Sequence, residues 1–463
     1  MGGVWANSEC SLEGKFMRYY LLGGASALLG AALMSPGWLA PDPARALPSY
    51  ARQTGEDCAA CHVGGFGPQL TPHGRDFKIN GFSDGTTKIP LSGMAVANFT
   101  HTAKAREDVI SDHDGRNDNV ALQEASVFLA GRLAKGLGTF VQTTYSEVDR
   151  ATALDHAEVR YAHPVKIAGA DAVIGVDINN NPTLSDPFNS VGAWSFPYTS
   201  SDLGFEGAAA PLLQGGIEHQ AVGATAFLSI ADGLYAEAGG YRSLRPSLLG
   251  TFGIEAEAGS ISGVAPYWRL AYSKDFGRSN ASIGVIGMSA HLNPDRDGGP
   301  TDKFSDVGVD ATYQFLGNRK NIVSANASYI HENQTLDHAV FAGETSMANH
   351  SLDTISGDVS WYYKKHFGLT LGGFSTTGTR DTDLFAPAAE EGSRTGKPDT
   401  AGYILQADYS PWGGEGQSTF ANLRLGLQYK GYTKFNGASH DYDGSGRAAS
   451  DNNTVTAFIW TAF

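Results

Sequence analysis

Cysteine is nearly absent from this 463-residue chain, with three residues at positions 10, 58 and 61. That excludes a disulfide-built scaffold, and without a second cysteine pair it excludes a four-cysteine zinc site. Charge is sparse as well, at 17% of residues, and the balance is acidic at −15. An acidic chain is a poor partner for nucleic acid, whose phosphates select basic surfaces. No Ser/His/Asp grouping or phosphate-cradling loop points to a hydrolase or nucleotide enzyme. Beyond residue 46 there is no apolar run of the roughly 20 residues that a membrane-crossing helix needs. A single soluble domain of this length would also require more continuous apolar segments for its core.

What fills the chain is glycine, aromatic residues and strict alternation. Leu423, Leu425, Leu427 and Tyr429 share one strand face, opposite Arg424, Gln428 and Lys430. Trp268, Leu270 and Tyr272 alternate with Tyr267, Arg269, Ala271 and Ser273. Tyr403, Leu405, Ala407 and Tyr409 oppose Gln406 and Asp408, and Val359, Trp361 and Tyr363 oppose Ser360 and Lys364. A period of two with one apolar and one polar face is the pattern of a transmembrane β-barrel. From residue 91 onward the pattern gives about sixteen strands, an even number as bacterial barrels require.

The connections alternate in length, which a soluble sandwich does not need. Long ones fall at 106–118, 181–216, 293–303, 331–349, 378–399 and 436–452. Short ones fall near Lys135, Lys166, Asp232, Lys274 to Arg278, Asn318 to Lys320, Lys364 to His366 and Gly413 to Gln417. Long extracellular loops and short periplasmic turns are expected of an outer-membrane barrel. Val455, Ala457, Ile459, Thr461 and Phe463 make a last alternating strand that ends on an aromatic residue. The fold class expected is therefore all-β, an antiparallel transmembrane barrel over residues 91–463 in contact with outer-membrane lipid.

Residues 1–46 read as a signal peptide. Met17-Arg18 is followed by an apolar stretch from Leu21 to Leu39 and then Ala44-Arg45-Ala46, a positive, apolar and small-residue order typical of exported proteins. Met17 is an alternative start. Just beyond lies Cys58-Ala59-Ala60-Cys61-His62. C-x-x-C-H is the attachment pattern of c-type haem: two thiols form thioether bonds to the porphyrin and the histidine ligates iron. One covalent haem c is expected, on Cys58, Cys61 and His62. A redox dithiol would call for a βαβ setting, and a zinc site for further ligands. Residues 47–90 are too few for an independent domain without a metal or partner, so they are expected to form a small haem-bearing plug enclosed by the barrel.

The sixth iron ligand has two main candidates. Only Met94, Met288 and Met347 lie beyond the signal segment, and Met94 opens the first strand. Met94 would give His/Met ligation, which raises the reduction potential. His73 is the rival and would give a bis-histidine haem; His101 is further along the strand. Arg52, Arg75 and Lys78 are candidate partners for haem propionates. The long loops carry Asp108, Asp112, Asp114, Asp118, Asp295, Asp297, Asp302, Asp381, Asp383, Glu390, Glu391, Asp441, Asp443 and Asp451. Two readings stand: an acidic mouth that steers cations inward, or ordinary solvated loops. Asp112-x-Asp114 and Asp295-x-Asp297 need further ligands before either makes a cation site.

Residues 48–102 resemble the N-terminus of the fused monohaem cytochrome–porins, the outer-membrane cytochromes of iron-oxidising bacteria. The resemblance rests on Ala51-Arg52-Gln53-Thr54-Gly55, the C-x-x-C-H, Leu70-Thr71-Pro72, Gly74-Arg75-Asp76-Phe77-Lys78, Gly81-Phe82, Pro90-Leu91-Ser92 and Phe99-Thr100-His101-Thr102. It implies a protein that takes electrons from extracellular Fe(II) and passes them through its haem to a periplasmic c-type cytochrome. A conduit for another reductant and a barrel with a structural or sensory haem are the alternatives.

Overall fold

The computed structural model describes residues 48–463 apart from 112, 190, 192–198, 232, 257, 318–319 and 413–421. The signal segment, with Cys10 and Met17, and Asp112 lie outside the described residues. No described helix is long and apolar enough to cross a membrane; strands do so instead.

The first half of the barrel comprises β1 (Leu91–Thr102), β2 (Asn119–Ala134), β3 (Leu137–Ser146), β4 (Ala151–Ile167), β5 (Ala170–Asn179), β6 (Ala221–Ile230) and β7 (Leu234–Ser243). A two-residue strand, β8 (Ser260–Ile261), adds an edge pairing to β10. The second half comprises β9 (Ala265–Phe276), β10 (Ser279–Asn293), β11 (Asp302–Phe315), β12 (Asn321–Leu336), β13 (Asn349–Tyr363), β14 (Phe367–Gly378), β15 (Thr400–Tyr409), β16 (Asn422–Lys434) and β17 (Thr454–Ala462). Every neighbouring pair is antiparallel, and β1 pairs with β17 from Met94↔Ala462 to Thr102↔Thr454, closing a sixteen-strand barrel. The seam is completed by the terminal residue: Gly93 and Phe463 exchange backbone hydrogen bonds of 2.7 and 2.9 Å. A Cβ at position 93 would lie 2.6 Å from the Phe463 ring, so glycine lets that terminal ring pack over the seam.

The barrel is inside-out relative to a soluble protein. Leu427 is 55% and Ile283 63% exposed, whereas Arg424 is 1% and Glu158 0% exposed. Apolar residues face outward and polar ones line the lumen, as lipid on one side and a polar interior on the other demand. The protein is thus a bacterial outer-membrane barrel. Its tight turns, such as 135–136, 168–169 and 277–278, lie on one rim, and the long connections 103–118, 180–220, 244–264, 379–399 and 435–453 lie on the other. In such barrels the turn rim is periplasmic and the loop rim extracellular.

The lumen is filled from both ends. Residues 48–90 fold as α1 (Pro48–Thr54), α2 (Cys58–Cys61), a 3₁₀ turn at Val63–Gly65 and α3 (Pro72–Ile79). Their small core stacks Tyr50 on Phe82 at 5.4 Å and edge-on to Phe77 at 5.1 Å, against Phe128 on the wall. Arg75 donates to Asn280 at 2.6 Å, Gln69 to Ser324 at 3.0 Å and Tyr50 to the Thr139 carbonyl at 2.8 Å. Lys365 pairs with Asp57 at 2.8 Å. These wall partners sit near the turn rim on widely separated strands, so the plug is held around its whole circumference. From the other end the 180–220 connection folds inward. Its Leu212 and Leu213 amides donate to Glu332 at 2.7 Å and Asp306 at 2.8 Å.

Many loop acids serve to fasten the mouth. Asp302, Asp381, Glu390 and Asp443 are buried. Asp443 accepts from the Ser445 amide at 2.9 Å, and the Arg447 guanidinium spans Glu390 at 2.6 Å and Asn452 at 2.6 Å. Burial works to raise the Asp381 carboxyl, yet Thr345, the Leu384 and Asp383 amides and His350 together hold it at about 2. Asp295 pairs with His338 at 2.9 Å, and Asp297 accepts from the Gly299 amide at 2.7 Å. Asp295-x-Asp297 therefore gathers no third metal-ligating group among the described residues. Part of the loop charge is thus engaged inside the loops, where a carboxylate can satisfy several backbone amides at once.

Candidate functional site

The C-x-x-C-H segment owes its shape to two short elements packed back to back. Cys58–Cys61 makes a single helical turn, and the His62 amide closes it by donating to the Cys58 carbonyl at 2.8 Å. His62 then leaves in extended conformation and bridges antiparallel to Leu70, with the Val63 amide donating to the Gln69 carbonyl at 3.0 Å. Helix α3 lies directly beneath. Thr71 caps it by accepting from the Gly74 amide at 3.2 Å, and the Thr71 amide donates to the Cys61 carbonyl at 2.9 Å. A Cβ at position 74 would come within 2.1 Å of that carbonyl, so only glycine lets α3 pack this closely.

Cys58, Cys61 and His62 border a cavity with about 1250 Å³ of empty space, counting its open mouth. The plug contributes Tyr50, Phe66, Leu70, Phe77, Lys78 and Phe82 to its walls, and the barrel contributes Met94, Phe128, Phe140, Asn422 and Trp460. The lining is predominantly apolar and aromatic. Met94 is buried in this wall, in the same cluster as Tyr50, Phe77 and Phe128. The structure thus brings Cys58, Cys61, His62 and Met94 around one space. His73 is outside it: 55% exposed, its Nε2 sits 2.6 Å from Glu56 Oε2. His101 is at the loop end of β1, 2.6 Å from Asp118.

Of the three basic candidates only Lys78 reaches the cavity. Arg52 is engaged by the Leu91 carbonyl, and Arg75 by Asn280 and Ser273. Lys78 donates to the Leu184 carbonyl at 2.6 Å and pairs with Glu158 at 3.2 Å. Burial pushes its ammonium pKa down, with the Glu158 carboxylate opposing. Glu158 is shared in turn with Arg160 at 3.1 Å and His156 at 3.2 Å, and Arg160 with Asp177 at 2.5 Å. A buried charge network thus abuts the cavity. Neither it nor Asn422, whose amide donates to the Cys58 sulfur at 3.5 Å, was identified from the sequence. Glu158 meets Lys78, and Asn422 meets Cys58, across long stretches of chain, and no local motif marks either meeting.

Burial sets the protonation of the key groups. Cys58 is pushed up to about 12 by burial and by Asp57 beside it, and the two cysteines form no disulfide. A thiol held neutral is a weak metal ligand and a slow redox nucleophile. His62 is pushed down to about 4 by burial, with the Gly67 backbone pulling the other way, and its Nδ1 is buried without a hydrogen bond. Among the described residues Glu56, Cys61 and His73 are the one group whose ligand atoms lie within 4.8 Å of one another.

The His62 shift has a testable consequence for the haem-free chain. The unfolded imidazole accepts a proton at its ordinary value of 6.5 and the folded one only near 4. Stability is therefore whole above the upper value and falls as pH drops towards the lower one, by on the order of 3 kcal/mol in total. Protease resistance of residues 48–90 is expected to fade across that window, and to stay flat there in His62→Phe.

No family model matches the chain, and no curated protein matches it. Solved structures resemble it at low identity. OmpT, an outer membrane protein of Vibrio cholerae, shares 12% identity over 81% of this chain and 96% of its own, with a TM-score of 0.39. An anion-selective porin from Comamonas acidovorans shares 12% over 81% and 98%, with a TM-score of 0.43. OprB of Pseudomonas putida shares 11% over 81% and 93%, with a TM-score of 0.47.

Proposed function

We propose that the protein is an outer-membrane cytochrome–porin that oxidises extracellular Fe(II) through one covalent haem c and delivers the electrons to a periplasmic c-type cytochrome. The observation that carries this is the convergence of Cys58, Cys61, His62 and Met94 on a single apolar cavity inside the barrel. The donor set fits the group. Two reduced cysteines on one helical turn suit thioether attachment, an imidazole with an unsatisfied nitrogen suits iron ligation, and the Met94 thioether on the barrel wall of the same cavity suits the sixth position. Flat aromatic walls of Tyr50, Phe66, Phe128 and Trp460 suit a porphyrin face. Bound there, held by Cys58, Cys61, His62 and Met94, haem would supply one-electron chemistry, matching the one electron that Fe(II) gives up on becoming Fe(III).

The chain's own residues set the conditions of that relay. The apolar and aromatic walls favour the less charged, reduced state and raise the potential. Membership of the fused monohaem cytochrome–porin family rests on the 48–102 motifs and belongs to the same proposal.

Stopped-flow absorbance of the oxidised protein mixed anaerobically with Fe(II) tests it. Rapid growth of reduced c-haem bands supports the assignment; reduction by dithionite alone overturns the iron assignment. Met94→Leu is expected to retain covalent haem but lose the sulfur-to-iron charge-transfer band, with the potential falling by on the order of 100 mV. An unchanged spectrum in that variant removes Met94 as a ligand.

A further inference from the structure

A second cavity lies above the first along the barrel axis. It holds about 1790 Å³ of empty space, counting its open side, and is bordered by Gln69, Glu206, Glu218, Asn326, Asp358 and Lys430. Its wall residues on β13 to β16 come from the middle and loop-side parts of those strands. The haem cavity instead meets its strands near the turn rim. Among the described residues only Pro68 and Asn189 border both spaces, and the Asn189 amide donates to the Pro68 carbonyl. The second cavity is therefore a vestibule towards the extracellular rim that meets the haem cavity at the Pro68–Asn189 contact.

Its chemistry differs from that of the cavity below. The polar groups are amide, hydroxyl and carboxylate oxygens, with no thiol or imidazole among them. The one lysine, Lys430, is paired with Glu206 at 2.8 Å, and Glu218 lies 3.7 Å from the His219 imidazole, which leaves Asp358 as the carboxylate on this wall without a cationic partner among the described residues. Asp358 is oriented by the Asn326 amide at 3.1 Å. Gln69 is 8% exposed and its Oε1 is buried with no hydrogen-bond partner. The Gln69 carbonyl meanwhile binds the Val63 amide, next to His62. Hard oxygen ligands under net negative charge suit a small hydrated divalent cation and hold it loosely.

We propose that this vestibule is the docking site of the reductant, a hydrated divalent cation held near Asp358, Glu218 and the Gln69 amide oxygen. The inference deepens the Fe(II) reading above and rests on it for the identity of the cation. Docking here places the reductant beside the Pro68–Asn189 contact, so one electron has a short passage into the haem cavity while the oxidised ion leaves by the mouth. No proton or ligand transfer is required.

The test uses the full-length, haem-loaded protein in detergent, with Mn(II) as a redox-inert probe followed by electron paramagnetic resonance. One weak Mn(II) site is expected in the oxidised protein. Asp358→Asn and, separately, Gln69→Leu are expected to weaken it and to raise the apparent KM for Fe(II) by about fivefold to tenfold, with the limiting rate and the dithionite endpoint unchanged. Mn(II) binding that is absent, or equal in wild type and both variants, overturns the vestibule site. If wild-type haem is not reduced by Fe(II) but Mn(II) binding still depends on Asp358 and Gln69, the site stands and the iron reading falls.

Discussion

Cys58→Ser combined with Cys61→Ser is expected to yield a barrel that assembles, retains heat-modifiable migration on gels, and carries no haem that survives denaturation. The wild type is expected to carry one equivalent. The effect is all-or-none because thioether bonds are the only covalent tie the cavity provides, and the barrel's own closure does not involve these residues. The Met94↔Ala462 register and the Gly93–Phe463 exchange hold the seam without them. The swap of sulfur for oxygen is small in volume, so packing against Ala51 is little disturbed. Haem staining after denaturation is the readout. Covalent haem persisting in the double variant would overturn the attachment, and the iron proposal with it.

The second large effect is expected from Glu158→Ala. Glu158 is the shared anion of Lys78, Arg160 and His156, all buried at the junction of plug and wall. Removing it leaves Lys78 with only the Leu184 carbonyl and Arg160 leaning on Asp177. Breaking a buried pair by deleting one partner costs about 3–5 kcal/mol, because a charge is stranded in a poorly polarisable setting. The loss is expected in the melting of the plug, read by protease release of residues 48–90, with the barrel transition less affected. Lys78→Met added to Glu158→Ala removes the stranded ammonium and is expected to restore part of the loss, a coupling of about 0.5–3 kcal/mol. A double variant whose loss equals the sum of the Glu158→Ala and Lys78→Met losses would show that the Lys78–Glu158 contact contributes nothing.

The barrel was legible in the sequence because lipid imposes a rule on every strand: outward residues must be apolar. Leu425 and Leu427 against Arg424 and Gln428 illustrate how directly that rule prints itself. Long and short connections alternated as expected, and the turn at Lys364 to His366 fell where the alternation broke. The 244–264 connection was missed because Ile254 to Ile261 alternates like a strand although only Ser260–Ile261 pairs. The four-residue connection 147–150 lies on the loop rim yet has the composition of a tight turn. The C-x-x-C-H motif is local and was visible for that reason. Glu158, Asn422 and Trp460 were not, since nothing near them in the chain records that they meet the plug. The two readings of the loop acids could not be separated for a related cause. Composition reports charge but is silent on whether an aspartate faces water or, like Asp443, a ring of amides.

The plug is tied to opposite sides of the wall by Arg75, Gln69, Tyr50 and Asp57, and roofed by the 180–220 connection. This arrangement imposes an order of biogenesis. Once the plug has folded inside the closed barrel, Cys58 is buried in a helical turn, and a maturation enzyme that handles an extended C-x-x-C-H segment no longer meets one. On the haem proposal, cofactor attachment is expected to precede insertion into the outer membrane, while the chain is still an unfolded periplasmic intermediate. Cells with a defective haem-ligation system would consequently accumulate empty barrels that later supply of haem cannot repair, and a pool of active protein would depend on new synthesis rather than on reloading.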